Sequence, residues 1–193
     1  MKNILVWGTG RAGKTTLAGM AHRQLGLKHV EMDLVRNKYH EDFPDRPSPI
    51  MPCYGGIVDD VAETEILSQV MLDFLKQLEK SNDPFIAESV YLDPTVLKGL
   101  NKSKYLIIGI GNAQISGRNK LTGIRQHDTA QSWTSHYGDE YVLPYCDFNI
   151  EQSKHIQKTM AKLGGGARYF DTSTNRDQEL ATALEYIQSA QMV

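Results

Sequence analysis

The sequence has few of the features that mark disulfide-rich, membrane or secreted proteins. Its 193 residues include only two cysteines, Cys53 and Cys146, which lie far apart and form no C-x-x-C pair. Neither is expected to bind zinc, and a reduced setting is expected for both. No apolar run approaches the length of a membrane span. The four apolar residues before Gly8 are too few for a signal peptide, so we expect a cytoplasmic protein.

The chain also lacks an excess of either charge. Its formal net charge is −2, so the composition does not point to nucleic acid or an anionic membrane as a partner. Internal repeats and low-complexity tracts are missing as well. With 40% hydrophobic and 23% charged residues, a chain of this length predicts one globular domain with a sizeable core. The oligomeric state is not indicated.

The most specific motif is a glycine-rich stretch between an apolar run, residues 4–7, and a helical pattern over residues 14–25. It matches G-x-x-x-x-G-K-[ST], the phosphate-binding loop, in the required setting of strand, loop and helix. Glycines let backbone N–H groups wrap closely around an anion, and the positive end of the following helix adds to the attraction. The lysine suits the β- and γ-phosphates and the first threonine hydroxyl suits Mg²⁺. The predicted nucleotide-binding residues are Gly8, Gly10, Arg11, Ala12, Gly13, Lys14, Thr15 and Thr16.

The same glycines also spell G-x-G-x-x-G, and Asp33 lies about twenty residues further on, as in a dinucleotide-binding fold. We favour a triphosphate because Lys14 and Thr15 serve a γ-phosphate and Mg²⁺, which a dinucleotide site does not need. About fifty residues separate the second and third apolar strands, whereas a dinucleotide-binding half has short connections. A melting temperature raised by NAD(H) rather than ATP would favour the alternative.

Apolar strands alternate with helical patterns along the chain, which predicts an α/β protein with a parallel sheet and right-handed crossovers. The predicted strands are residues 2–7, 29–33, 84–88, 105–111 and 168–171. The predicted helices are residues 14–25, 59–80, 93–100, 149–163 and 177–189. The proline-rich stretch 41–56 is predicted to be a loop, which we interpret as a flap over a substrate.

Charged residues near the ends of the central strands are candidates for catalysis. Asp33 ends the second predicted strand and Glu88 the third, where a carboxylate can organise Mg²⁺ or act as a general base. Arg118 and Arg125 are seven residues apart, so they would share a helix face. They would stabilise charge on a transferred phosphoryl group, or they belong to a solvated charged helix. His127 and His136 have no partner at metal-ligand spacing.

These residues resemble the P-loop kinases of small molecules, the group of adenylate, shikimate and uridine kinases. The matches are the loop at residues 8–15, Asp33 with Arg36, Glu88, and the pair Arg118 and Arg125. The resemblance implies a three-layer α/β/α fold of one domain, residues 1–193, with a five-stranded sheet of order 2-3-1-4-5. It further implies an acceptor flap at residues 36–60 and a lid-like segment at residues 112–140.

The resemblance also implies ATP and Mg²⁺ as cofactors, with the metal held by Thr15 and Glu88, and it places Thr172 and Ser173 beside the adenine. Residues 123–141 are similar to uncharacterised bacterial kinase-like proteins. No nucleoside-monophosphate signature is present between residues 36 and 60, and no shikimate-type glycine signature follows Glu88. The resemblance therefore does not identify the acceptor.

The predicted function is a kinase that moves the γ-phosphoryl group of ATP to a small-molecule acceptor, namely a nucleoside, a nucleotide or a hydroxylated metabolite. Lys14 would hold the triphosphate, Asp33 or Glu88 would act as base or metal ligand, and Arg36 would bind an anionic group of the acceptor. The alternative is a regulatory ATPase or nucleotide switch without a small-molecule acceptor.

Overall fold

A parallel β-sheet with helices on both faces forms the framework of the protein. The computed structural model describes residues 1–45, 61–91 and 99–192. The strands are β1 (Asn3–Gly8), β2 (Lys28–Glu31), β3 (Phe85–Ser89), β4 (Tyr105–Gly111) and β5 (Arg168–Asp171). The helices are α1 (Lys14–Leu25), α2 (Met32–Asp42), α3 (Val61–Glu79), α4 (Gly117–His127), α5 (Asp139–Leu163) and α6 (Arg176–Gln191). Short 3₁₀ turns cover Lys102–Lys104 and Trp133–His136.

The strand order is β2-β3-β1-β4-β5 with every neighbouring pair parallel, which confirms the predicted order and three-layer fold. The central strand β1 is buried on both faces because its successive side chains point alternately into two apolar cores. Ile4 and Val6 pack with α1 and α6, and Leu5 and Trp7 pack on the side of α3 and α5. Since parallel strands all end at one edge, the loops after β1, β3 and β4 meet there.

The helices that cover the sheet show the predicted apolar stripes. Leu67, Met71 and Leu75 of α3 are buried, as are Leu184 and Ile187 of α6. No helix within the described ranges is both long and apolar enough to cross a membrane.

The first correction concerns the segment after β2. The second strand ends at Glu31 rather than Asp33, and Asp33 lies in the first turn of a helix, α2, that was not predicted. Buried Met32 and Tyr39 are two helical turns apart and anchor one face of α2. The first part of the predicted flap is therefore helical, and its residues 46–60 lie outside the described residues. Residues 93–98 of the predicted helix 93–100 lie outside them as well.

Two helix starts also differ from prediction. Helix α5 begins at Asp139, ten residues before the predicted start, and continues through Pro144. Buried Val142, Tyr145 and Cys146 hold this first part of α5 against α4, so packing outweighs the lost backbone donor. Helix α6 begins at Arg176, one residue before the predicted start, and is capped by Asn175, whose side chain accepts a hydrogen bond from the Gln178 amide.

Candidate active site

The loop between β1 and α1 has the geometry of an anion site. Gly13 has a φ of 105°, a conformation that favours glycine, and Arg11 also has a positive φ of 61°. The hydrogen bond from the Leu17 amide to the Gly13 carbonyl, 2.9 Å, begins the α1 ladder. The amides of the first helical turn, before Leu17, have no acceptor within the helix, so they form its positive end and suit phosphate oxygens.

Gly10 is required by a close approach of α5. A Cβ at this position would lie 1.8 Å from the hydroxyl oxygen of Tyr145, and the Gly10 amide donates to Asn149 Oδ1 at 2.9 Å. Gly10→Ala is therefore expected to destabilise the protein by about 1–3 kcal/mol, measured by thermal or urea unfolding. Gly19→Ala is the control, because only the end of the flexible Arg23 side chain is nearby. Equal stability of the two variants would contradict the expectation.

Lys14, Thr15 and Glu88 meet where β1 and β3 end. Thr15 Oγ1 donates to Glu88 Oε1 at 2.6 Å, and Lys14 Nζ lies 4.0 Å from Glu88 Oε2 while donating to the Thr9 carbonyl at 3.1 Å. Burial lowers the pKa of the Lys14 ammonium, and the charges of Glu88 and Asp33 act in the opposite direction. A hydroxyl and a carboxylate oxygen side by side are a fitting pair of Mg²⁺ ligands.

The rest of a magnesium shell would come from phosphates and water. Among the described residues, no group of three or more His, Cys, Asp or Glu side chains is arranged to hold a metal. Mg²⁺ commonly binds through one or two protein oxygens and substrate phosphates, so this pair is sufficient. His29 was not expected here. Its Nε2 is buried 3.8 Å from Glu88 Oε1 and makes no hydrogen bond to the part of the chain that the structure describes.

Asp33 and Arg36 lie on α2 beside the end of β3. Asp33 Oδ1 accepts a hydrogen bond from Ser89 Oγ at 3.3 Å. The Arg36 guanidinium donates to the Tyr91 hydroxyl at 2.5 Å and lies 4.9 Å from the centre of that ring. Among the residues that the structure describes, none forms a hydrogen bond with the buried Arg36 Nε. A carboxylate and an arginine thus stand together on the β2 side of the phosphate loop.

A cleft of about 690 Å³ opens on the other side of the loop. Lys14, Thr15 and Thr16 line its floor, and Thr172 and Ser173 line the wall formed after β5, where the family resemblance places the adenine. Thr172 Oγ1 also bonds the Ala12 carbonyl at 3.0 Å, which joins that wall to the phosphate loop.

The predicted lid cations Arg118 and Arg125 share a face of α4, as their spacing predicts, but that face lines a separate surface depression with Asp139. Arg125 makes four hydrogen bonds to the segment that follows α4, with acceptors on Asp128, Thr134, Tyr137 and Asp139. These contacts correct the predicted placement: neither arginine lines the nucleotide cleft, and Arg125 holds the segment after α4.

Lys120 is the cation of α4 that the cleft contains, and the sequence analysis missed it. Its Nζ donates to the Gly10 carbonyl at 2.9 Å and to Asn112 Oδ1 at 2.6 Å. Two residues along a helix correspond to a rotation of about 200°, so Lys120 lies opposite Arg118. That offset shows that Lys120 and Arg118 cannot both face the loop, but the contact with Gly10 is what selects Lys120.

Arg11 connects the phosphate loop to the segment after α4. Its Nη2 lies 3.2 Å from Asp128 Oδ1 and donates to Thr134 Oγ1 at 2.9 Å. Burial works against ionisation of Asp128, but hydrogen bonds from Thr134 and Arg125 and the nearby charge of Arg11 hold the pKa of its carboxyl below the ordinary value. Residues 128–139 are therefore anchored to the loop by an ionised carboxylate.

The sheet order and the phosphate loop define a protein with the fold of the P-loop small-molecule kinases. The gluconokinase of Sinorhizobium meliloti superposes with a TM-score of 0.59 at 13% identity, covering 98% of this chain and 93% of that one. The shikimate kinase of Bacteroides thetaiotaomicron superposes with a TM-score of 0.58 at 14% identity, covering 100% of this chain and 99% of that one.

A sugar kinase of Janibacter sp. gives a TM-score of 0.62 at 14% identity, covering 97% of this chain and 95% of that one. No protein-family model matches the sequence, and no curated protein is similar to it in sequence. At these identities the likeness establishes the fold, and the function has to be argued from the site.

Proposed function

We propose that the protein is an ATP-dependent kinase that transfers the γ-phosphoryl group to a hydroxyl of a small-molecule acceptor. The observation that carries the proposal is the meeting of Lys14, Thr15 and Glu88 at one sheet edge, with Asp33 and Arg36 beside them. A site for phosphates and metal thus adjoins Asp33 and Arg36, which are not needed to bind the nucleotide and are therefore free to serve an acceptor. The names of the structural neighbours support the same class of reaction.

Each side chain has a role that its surroundings favour. Lys14 and the loop amides hold the β- and γ-phosphates, and Thr15 with Glu88 would hold Mg²⁺, which neutralises charge on the phosphates. Because Glu88 already contacts Thr15 and Lys14, we assign the general base to Asp33. The acceptor hydroxyl oxygen forms its bond to the γ-phosphorus as the bond to the β,γ-bridging oxygen breaks. The hydroxyl proton passes to the Asp33 carboxylate.

Arg36 supports an acceptor that carries a carboxylate or phosphate as well as a hydroxyl. Its guanidinium is held against Tyr91, and no acceptor within the described ranges uses its buried Nε donor. A planar guanidinium binds such anions with two parallel hydrogen bonds. The neighbours named for gluconate, shikimate and sugars are in line with a hydroxylated acceptor.

The decisive experiment is release of ADP from Mg·ATP, with Mg·GTP in parallel, against a panel of acceptors. The panel contains sugars, sugar acids, other hydroxy acids, nucleosides and nucleotides. The proposal expects at least one hydroxylated acceptor to stimulate release and to appear as a phosphorylated product by mass spectrometry. A slow rate that no member of the panel changes would contradict it.

Arg36→Lys tests the acceptor side on its own. Losing the two-pronged contact is expected to raise KM for the acceptor by about 10- to 100-fold, a loss of about 1.5–3 kcal/mol, while KM for ATP stays unchanged. Steady-state kinetics with each substrate varied in turn measure the two constants separately. An increase confined to KM for ATP would place Arg36 at the nucleotide instead.

One observation favours the alternative of a nucleotide-controlled switch. Arg11 joins the phosphate loop to residues 128–139, so a bound triphosphate that attracts this guanidinium would compete with Asp128 for it. The same panel separates the two functions, since a switch hydrolyses ATP slowly whichever acceptor is added.

A further inference from the structure

Lys120 places a second buried ammonium group at the nucleotide cleft. The residue is only 5% exposed, yet it lines the same cleft as Lys14 and Thr16. Both of its hydrogen-bond acceptors, the Gly10 carbonyl and Asn112 Oδ1, are uncharged. An ammonium has three N–H donors, so these two contacts leave one for another acceptor.

The charge of Lys120 is uncompensated by the protein around it. Across residues 1–45, 61–91 and 99–192, no carboxylate forms an ion pair with its Nζ. Burying a charge without a counterion is costly, and two neutral acceptors offset only part of that cost. Such a group is a favourable site for an anion that enters the cleft.

The surroundings of Lys120 confirm this imbalance. Burial is the main cause that lowers the pKa of Lys120 to about 8, and the ammonium of Lys14 on α1 lowers it further. A charged Cys146 thiolate on α5 would raise the pKa of Lys120. Burial raises the pKa of the Cys146 thiol itself to about 11, however, so the thiol is neutral near pH 8 and does not offset the charge of Lys120. The other charged or titratable side chains that line the cleft are Arg11, His127, Arg176 and Asp177.

We propose that Lys120 is a second phosphate-binding cation, which completes its hydrogen bonds and its charge balance with an oxygen of the bound polyphosphate. The inference rests on the proposed function in taking ATP as the natural ligand. Through Gly10 the same ammonium holds the phosphate loop, so the loop and the ligand share one cation. Lys14 binds the phosphates from α1, and Lys120 binds them from α4 across the cleft.

Polyphosphate binding should then be linked to proton uptake. A phosphate oxygen stabilises the charged form of Lys120, so its pKa is higher in the complex than in the free protein. Below about pH 8 Lys120 is already charged in the free protein, so its titration does not change the affinity for polyphosphate. Above that pH the free protein must take up a proton to bind, and affinity falls by up to about tenfold per pH unit.

The test uses the full chain with Lys120→Arg, Lys120→Met and the control Lys158→Met, an exposed lysine on the outer face of α5. Calorimetry measures binding of Mg·ATP and of inorganic tripolyphosphate at about pH 7 and about pH 9.5. Wild type and the control should bind at least about tenfold more weakly at the higher pH. Lys120→Arg should lose less affinity between the two pH values than wild type, since arginine stays charged and of the two cations only Lys14 still titrates.

Lys120→Met should bind both ligands about tenfold or more weakly at neutral pH, and its further loss at high pH should be smaller than that of wild type because only Lys14 still titrates. Circular dichroism and melting temperature verify the fold, and if one variant fails to fold the other decides. Wild-type affinity that is flat with pH, or an affinity of Lys120→Met within about twofold of wild type, overturns the inference but leaves the kinase proposal intact. A wild-type protein that binds neither ligand overturns both.

Discussion

Lys14→Met is expected to reduce kcat/KM for Mg·ATP by about 100- to 1,000-fold, the range observed when a preorganised charge-stabilising group is removed from an active site. The Lys14 ammonium is buried and lies at the positive end of α1, next to Thr15 and Glu88, the pair proposed to bind Mg²⁺. In such a water-poor site, a fixed charge that meets the phosphoryl group stabilises the transition state far more than it would in water. Initial-rate kinetics with saturating acceptor measure the loss.

Methionine is chosen because it keeps the length and apolar character of the lysine stem. The fold should survive, because the strand and helix on either side of the loop are held by apolar cores to which Lys14 does not belong. Circular dichroism and the melting temperature verify this, and Lys158→Met is the matched control on the outer face of α5. A folded Lys14→Met protein with wild-type turnover would rule out the proposed site.

The parts of the fold that the sequence predicted are those where local pattern and packing agree. The predicted bounds of β4 and β5 coincide with the observed strands, and those of β1 and β3 differ by one residue. A buried parallel strand is a short continuous apolar run, so its ends are visible in the chain. The phosphate loop was also visible, because only a glycine tolerates the φ of position 13 and the Tyr145 contact at position 10.

The parts that were missed depend on contacts between distant segments. Nothing local identifies α2, whose only buried residues are Met32 and Tyr39. A proline is disfavoured inside a helix, so Pro144 argues against the helix that α5 forms there. Only the packing of α5 on α4 explains why this proline is tolerated. The choice among the three cations of α4 was decided by which face meets Gly10, and helical spacing alone does not say which face that is.

The structure also separates the two carboxylates that the sequence left as alternatives. Glu88 is buried beside Lys14 and accepts the Thr15 hydroxyl, whereas Asp33 is partly exposed on α2 and is bonded by Ser89. The first environment suits a metal ligand and the second suits a base that an acceptor hydroxyl can reach. Single substitutions can therefore assign the two roles.

Asp33→Asn is expected to lower kcat by about 100- to 10,000-fold, the usual contribution of a general base, because the amide has the shape of the carboxylate but cannot take the proton. Nucleotide affinity should stay near the wild-type value, since Asp33 is not one of the residues that line the nucleotide cleft. Rapid-quench single-turnover experiments measure the chemical step, and calorimetry measures Mg·ATP binding on the same sample.

Glu88→Gln is the matching substitution at the proposed metal ligand, and its loss of activity should respond to magnesium, unlike that of Asp33→Asn. The amide keeps one oxygen for Thr15 but loses the charge that attracts Mg²⁺, so a higher magnesium concentration is expected to restore part of the activity. Added magnesium should not restore Asp33→Asn, because the missing function there is proton acceptance. If magnesium rescued Asp33→Asn and had no effect on Glu88→Gln, the two roles would have to be exchanged, with Glu88 as the base and Asp33 as the metal ligand.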